Sequence, residues 1–306
     1  MPDSPTSGET IGFVGIGFMG HGMAKNLLEK GYALTFLGRA NRVPAEDLKA
    51  RGGVEVASSK NVAERASIIF MCVTGSADVE TIVNGPNGLK AGLKAGSVVV
   101  DCSTSDPKVT LAIAHDLEAL GVDYADAPLG GTPKEAEAGK LQAMVGAKAA
   151  VFARLQPVVG AWAARAVHIG AVGDGHRMKL LNNFLSLGYG ALYAEALTLA
   201  QKVGIDPARF DSVIRGGRMD CGFYQTFIKY TLEGDRDAHK FSIANAFKDL
   251  RYLESMADAA GMINPLGNAV KNSFALAVAG GGEQDFVPML VDHVSNANNV
   301  RLGGVK

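Results

Sequence analysis

The sequence predicts an α/β fold: a domain built on a parallel sheet, joined by a long helix to an all-helical second domain. Three observations predict it. Residues 10–172 alternate short apolar, β-branched runs with amphipathic stretches, as strand–helix–strand units do. Residues 173–204, GDGHRMKLLNNFLSLGYGALYAEALTLAQKVG, read as one uninterrupted helix. After Asp206-Pro207 the apolar patterns are all helical, and Gly or Pro marks each turn. The expected boundaries are a loose polar tail at 1–9, the sheet domain at 10–172, the long helix at 173–204 and the helical domain at 205–306. A chain of 306 residues suits about two domains of this kind.

Composition excludes several classes. Thirty basic residues against 31 acidic ones give a net charge of −1, so no nucleic-acid-binding surface is expected. No apolar run free of charges and turn signals reaches the roughly 20 residues a membrane span needs. No membrane partner is therefore expected. Cys72, Cys102 and Cys221 lack metal-ligand spacing, and no signal-peptide pattern precedes them. They place the protein in a reducing cytoplasm, with Cys72 and Cys102 in core strands. The histidines are scattered, so no metal is expected. Trp162 is assigned to the core.

The first element is Thr10 to Gly15, TIGFVG, a short apolar strand. It runs into Gly15, Gly17 and Gly20 of GIGFMG and then an amphipathic helix with Met23, Leu27 and Leu28 inward. The first glycine allows the tight turn and the second lets a pyrophosphate approach the backbone. The third lets the helix pack on the strand. The helix start offers free N–H groups and a positive dipole end to phosphate. A Rossmann-type dinucleotide-binding domain follows. Phe18 and Met19 of the same turn join the three glycines as cofactor candidates.

The second strand, Ala33 to Leu37, ends without the acid that NAD binders place there for the ribose 2′-hydroxyl. Gly38 leaves room, and Arg39 and Arg42 offer guanidinium groups suited to a 2′-phosphate. NADP(H) is the expected cofactor. NAD(H) serves if the arginines are only solvated surface residues.

Ala66 to Val73 is a buried-type strand that leads to Thr74, so Val73 and Thr74 are further cofactor candidates. Val98 to Cys102 is another strand and ends at Ser103-Thr104. Hydroxyls at the carboxyl end of a parallel strand can hold a nicotinamide ribose or a substrate, or cap the helix before Pro107. Val122 to Ala127 leads into Gly130, Gly131 and Thr132, a loop whose N–H groups and hydroxyl suit a carboxylate. Leu141 to Val145 and Ala166 to Gly170 complete the strands.

The long helix is apolar on nearly every side and is expected to be buried. Lys179 near its start needs a partner, a wet cleft or a task. Asn183 lies one turn on, on the same face. Gly188 and Gly190 imply close helix packing there. His21 is expected to face phosphates or solvent, and His176 to cap or line the link into the helix.

Four blocks, in order over almost the whole chain, resemble the β-hydroxyacid dehydrogenases. They are GFVGIGFMGHGMAKNL, DCSTSDP, DAPLGGTPKEAEAGKL and GDGHRMKLLNN. A fifth, FKDLRYLESMADAAGMINPL, is similar to the family's K-D-L helix. The family includes 3-hydroxyisobutyrate dehydrogenase, tartronate semialdehyde reductase and sulfolactaldehyde reductase. The resemblance implies hydride transfer between a nicotinamide cofactor and a short β-hydroxyacid or its semialdehyde. It implies Lys179 as general acid–base, with Asn183, Ser103 and Gly130 to Thr132 on the substrate. It implies Lys248 near the nicotinamide end of the cofactor. Departures leave the substrate open: Gly130 stands at the usual serine, and Gly131 where sulfolactaldehyde reductases resemble G-R-T.

The lysine pKa is expected to fall toward the working pH, through its apolar surroundings and the positive helix start. Few charges on Ala269 to Ala279 suggest a covered subunit face, so a homodimer or homotetramer is expected. Rival readings are a catalytically silent NADP-binding module and an imine reductase-like enzyme. The small-molecule partner is a carboxylic acid or semialdehyde.

Overall fold

The computed structural model describes residues 8–302. Most of the expected loose tail, residues 1–7, lies outside the described residues. The chain divides into two compact units, with the boundary between Lys179 and Leu180.

The first unit opens with β1 (Thr10–Val14), α1 (Gly20–Glu29), β2 (Ala33–Leu37), α2 (Val43–Ala50), β3 (Val54–Val56) and α3 (Ser59–Arg65). It continues with β4 (Ile68–Met71), α4 (Ser76–Asn84), β5 (Val98–Asp101), α5 (Pro107–Glu118) and β6 (Asp123–Asp126). Then come β7 (Leu129–Gly130), α6 (Pro133–Glu137), β8 (Leu141–Gly146), α7 (Ala149–Val159) and β9 (Ala163–Gly170). The strands form one sheet in the order β3-β2-β1-β4-β5-β6-β8-β7, with β9 also on β8. From β3 to β6 all neighbours are parallel, and β8 runs antiparallel to β6 and β7.

Both faces of this sheet are covered, which is why its strands read as continuous apolar runs rather than alternating ones. Successive side chains still point to opposite faces. Phe13, Ile68, Phe70, Val98 and Val100 join one core with Met23, Leu27 and Trp162. Val14, Ile69, Met71 and Val99 join the other with Val62, Ile113 and Leu117. The strand order reverses between β1 and β4, and open sheets of this type bind ligands outside the carboxyl ends at that point.

Sequence and structure differ between β2 and β4. Residues 43–65 carry no long apolar run, yet they form α2, β3 and α3. The edge strand β3 has only three residues, none buried. Short polar α3 starts where the Ser58 hydroxyl accepts from the Asn61 N–H at 3.2 Å.

The long helix is α8 (Asp174–Lys202), and the unit boundary falls inside it. The second unit adds α9 (Pro207–Ile214), α10 (Gly222–Glu233), α11 (Ile243–Ala259), α12 (Pro265–Ala279) and α13 (Leu290–Ala297). Its core joins Leu187, Ala194 and Leu197 of α8 to Phe227, Leu250, Phe274 and Leu290.

Two expectations for α8 are corrected. The helix is not buried all round. Leu185, Leu192 and Leu199 are 59%, 60% and 62% exposed, and Leu181 and Tyr189 continue the same stripe at helical spacing. Its two inner glycines do not mark close helix packing. A Cβ on Gly190 would meet Val287 at 3.4 Å, and one on Gly188 would meet Val270 at 3.9 Å, both ordinary contacts. No helix among the described residues is long and apolar enough to cross a membrane.

Candidate active site

At the carboxyl end of β1 the backbone turns through the glycine loop. Gly15 has φ +99°, and a Cβ there would stand 2.2 Å from the Cys72 carbonyl oxygen. A Cβ on Gly20 would meet the Gly15 carbonyl oxygen at 2.0 Å, so α1 packs on the turn only without a side chain. Gly17 differs: the one atom within 4 Å is Nη1 of Arg39, at 3.3 Å. It is the open position of the three, where an anion can reach the backbone. Phe18 is 86% exposed, and Met19 is half-buried against the core.

Next to this turn lies a cavity of about 330 Å³. Gly15, Gly38, Arg39, Val73, Thr74 and Asp78 are among its lining residues. It sits at the ends of β1, β2 and β4, where the reversal of strand order places it. The two candidate arginines have separate fates. Arg42 grips both oxygens of Glu55 at 2.7 Å and also reaches Glu46 at 3.0 Å. Arg39 makes no hydrogen bond or ion pair among the described residues and lines the cavity. An open glycine, a cavity at the switch point and an uncommitted guanidinium fit a dinucleotide phosphate.

Ser103 follows β5 and is 3% exposed. Its hydroxyl accepts from the Val73 N–H at 3.0 Å, which leaves its own proton for another acceptor. Its N–H donates to Asp101 at 2.8 Å, in an Asx-type turn that fixes the strand end. Thr104 is half-buried beside it. Gly130 ends β7. Thr132 caps α6 in a capping box: its N–H donates to Glu135 at 2.9 Å and its hydroxyl bonds the same carboxylate. Neither donor is left for a substrate carboxylate in this conformation.

The start of α8 is built into the same end of the sheet. Asp126, fully buried at the end of β6, accepts from the N–H groups of Gly173 and His176 at 2.6 and 2.7 Å. These are orphan donors of a helix start. Burial pushes the Asp126 carboxyl above its ordinary value, against the opposing pull of His176 and the two N–H groups. His176 is itself fully buried. Its Nε2 donates to the Ser103 carbonyl at 3.1 Å, and its Nδ1 bonds the Thr110 hydroxyl at 2.7 Å. Lys179, half-buried, lies one helical turn further along α8.

In the second unit, Asn183 is 5% exposed and donates its amide to Asp249 of α11 at 2.7 Å. Asp249 also faces Lys248, whose Nζ lies 3.1 Å from its other oxygen and 5.2 Å from the Tyr252 ring centre. Sequence reading missed Asp126 and Glu55 in the first unit and Asp249 in the second. Asp126 and Asp249 carried a usable signal, an acid at the buried end of a strand and one on the buried, otherwise apolar face of a helix. Glu55 carried none. His21, expected near phosphates or solvent, is held between Asp47 and Glu137 at 2.9 and 2.7 Å.

The sheet order, the open glycine turn and the cavity define a dinucleotide-dependent enzyme fold with a helical partner unit. Comparison with known proteins names the group. A profile for the NAD binding domain of 6-phosphogluconate dehydrogenase matches residues 10–170. One for the NAD-binding of NADP-dependent 3-hydroxyisobutyrate dehydrogenase matches residues 173–291. The chain is 40% identical over 244 residues to 2-(hydroxymethyl)glutarate dehydrogenase of Eubacterium barkeri, covering 78% of this chain and 79% of the relative. It is 34% identical over 281 residues to 2-hydroxy-3-oxopropionate reductase of Escherichia coli K12, covering 90% and 93%. The solved 3-hydroxyisobutyrate dehydrogenase of Mycobacterium tuberculosis, with L-serine, superposes with a TM-score of 0.82 at 26% identity, covering 93% of this chain and 98% of that one. The chain belongs to the β-hydroxyacid dehydrogenase family, NAD(P)-dependent oxidoreductases that act on CH–OH donors.

Proposed function

We propose that this protein transfers a hydride between NADP(H) and a short β-hydroxyacid or its semialdehyde, with NAD(H) as a second cofactor and Lys179 as general acid–base. The observation that carries the reading is the link between β5 and the start of α8. His176 ties the Ser103 carbonyl to the first turn of the helix, and Asp126 fixes that turn through two N–H groups. Lys179 follows one turn later, and its ammonium and the Ser103 hydroxyl are assigned to one substrate oxygen. The bound nicotinamide supplies or accepts the hydride. In the reductive direction Lys179 delivers a proton to the carbonyl oxygen, and in reverse the neutral lysine takes the hydroxyl proton. Ser103 donates to the same oxygen and orients it.

Gly15, Gly17, Phe18, Met19 and Gly20 hold the pyrophosphate side of the cofactor, and Arg39 meets the 2′-phosphate. Val73, Thr74 and Thr104 serve the ribose and nicotinamide side, and Lys248 joins them as the family resemblance implies. Gly130 and Gly131 take the substrate carboxylate through backbone N–H groups, because Thr132 is committed to Glu135. Asn183, oriented by Asp249, is the remaining substrate contact. The exposed apolar stripe of α8 supports a homodimer or homotetramer, and three free cysteines suit a cytoplasmic setting.

The test is a screen of short semialdehydes and hydroxyacids with both cofactors, followed by nicotinamide absorbance. The expected result is turnover of at least one pair, faster with NADPH than with NADH. No absorbance change with any pair would overturn the reading in favour of a silent binding module.

A further inference from the structure

The acid missing from the end of β2 is restored in space by the neighbouring strand. Parallel pairing sets Glu55 of β3 opposite Phe36 of β2. From there its side chain runs along the sheet to Gly38. A Cβ on Gly38 would stand 1.9 Å from Glu55 Oε1 and 2.8 Å from Arg42 Nη1. The carboxylate therefore fills the slot that any side chain at position 38 would need. Its side chain is 22% exposed, and two Arg42 nitrogens hold it square at 2.7 Å each. Gly38 and Arg39 line the cavity next to it.

Dinucleotide folds place an acid at the end of this strand to accept the ribose 2′-hydroxyl. A carboxylate has about four lone-pair sites, so one held by two N–H groups still accepts another hydrogen bond. Arg39, beside it, offers the opposite preference: a guanidinium suited to a 2′-phosphate.

We propose that Glu55 is a specificity-determining residue for the cofactor: its carboxylate, set in the Gly38 slot by Arg42, accepts the 2′-hydroxyl of NAD(H) and opposes Arg39. The pair Glu55–Arg42 keeps NAD(H) usable while Arg39 favours NADP(H). Glu55 restrains that preference, since its negative charge stands close to where a 2′-phosphate must lie. Arg42 limits the repulsion by pairing with it, and would turn to the phosphate if Glu55 lost its charge. This inference rests on the dinucleotide reading of the glycine turn.

The experiment measures dissociation constants of NAD⁺ and NADP⁺ by titration calorimetry, so it does not depend on knowing the substrate. Three proteins are compared: the wild type, Glu55→Gln and Gly38→Ala. Glu55→Gln keeps the shape and removes the charge. Gly38→Ala displaces the carboxylate from its slot without altering it. In both variants the ratio of the NAD⁺ to the NADP⁺ dissociation constant is expected to rise at least about tenfold, a shift of roughly 1.4 kcal/mol in relative affinity. An unchanged or lowered ratio in either variant would overturn the role of Glu55. A wild-type protein that binds neither dinucleotide would instead overturn the reading of the glycine turn itself.

Discussion

Three glycines in one turn carry three different constraints, and single methyl groups separate them. Gly20 cannot gain a Cβ without moving the Gly15 carbonyl, whereas Gly17 meets only the tip of the Arg39 side chain. Gly20→Ala is therefore expected to destabilise the fold by about 1–3 kcal/mol, the usual result of overpacking. Gly17→Ala is expected to stay within about 0.5 kcal/mol of wild type, as open sites do, yet to weaken dinucleotide binding. Denaturant melts and calorimetry on the two variants check this. Equal stability losses would mean that Gly17 is a packing glycine too. Arg39 is the second residue-level case. Arg39→Ala is expected to raise the KM for NADPH several times more than that for NADH, and steady-state kinetics with both cofactors reads the difference. Equal rises would remove Arg39 from the 2′-phosphate.

Among the elements, the start of α8 is decisive, because it ties Asp126, His176 and Ser103 into one hydrogen-bonded order one turn before Lys179. Asp126 accepts one N–H on each carboxylate oxygen, whereas an asparagine amide accepts only through its single oxygen. Asp126→Asn is thus expected to lower stability by about 1–3 kcal/mol, the penalty for a buried donor left unpaired. A pH dependence accompanies it. Burial raises the folded pKa of Asp126 above its unfolded value of about 3.9. A carboxyl raised in this way favours the folded state most below the unfolded pKa, and the contribution fades as pH rises through the folded value. Asp126→Asn cannot ionise, so its melting temperature should fall less than that of wild type as pH rises from about 4 toward neutrality. Parallel profiles would mean that Asp126 does not titrate in that window.

The same element shows what the sequence makes legible. Its length and its lysine could be read directly, because apolar residues recur at helical spacing over about eight turns with no proline to break them. The strands β1, β2, β4, β5 and β6 could also be read, since burial on both faces leaves unbroken apolar runs. What could not be read depends on distant partners. The exposed stripe of α8 looks like core in sequence, because composition does not say which apolar face meets a neighbour. The tie between His176 and Ser103 joins residues 73 positions apart. Glu55 sits on a three-residue edge strand without periodicity, and only the strand pairing shows that it reaches Gly38.

At the scale of the whole molecule, the α8 stripe at Leu181, Leu185, Tyr189, Leu192 and Leu199 is a contiguous apolar surface within the second unit. Such surfaces mark association more often than they stay wet. Leu185→Glu with Leu192→Glu is expected to convert a homo-oligomer into the 31.9 kDa single chain, as sedimentation equilibrium would read. A wild-type protein already sedimenting at that mass would contradict the proposed assembly.

The complete enzyme also provides the most direct test of the central claim, that Lys179 moves the proton while the rest of the site only binds and orients. With a substrate found by the screen, kcat and the NADP⁺ dissociation constant are measured for wild type and Lys179→Ala. The account expects kcat to fall about 100- to 10,000-fold, the range for losing a general acid–base group, with cofactor affinity nearly unchanged. A variant that turns over normally, or one that loses cofactor binding while keeping its fold, would contradict it.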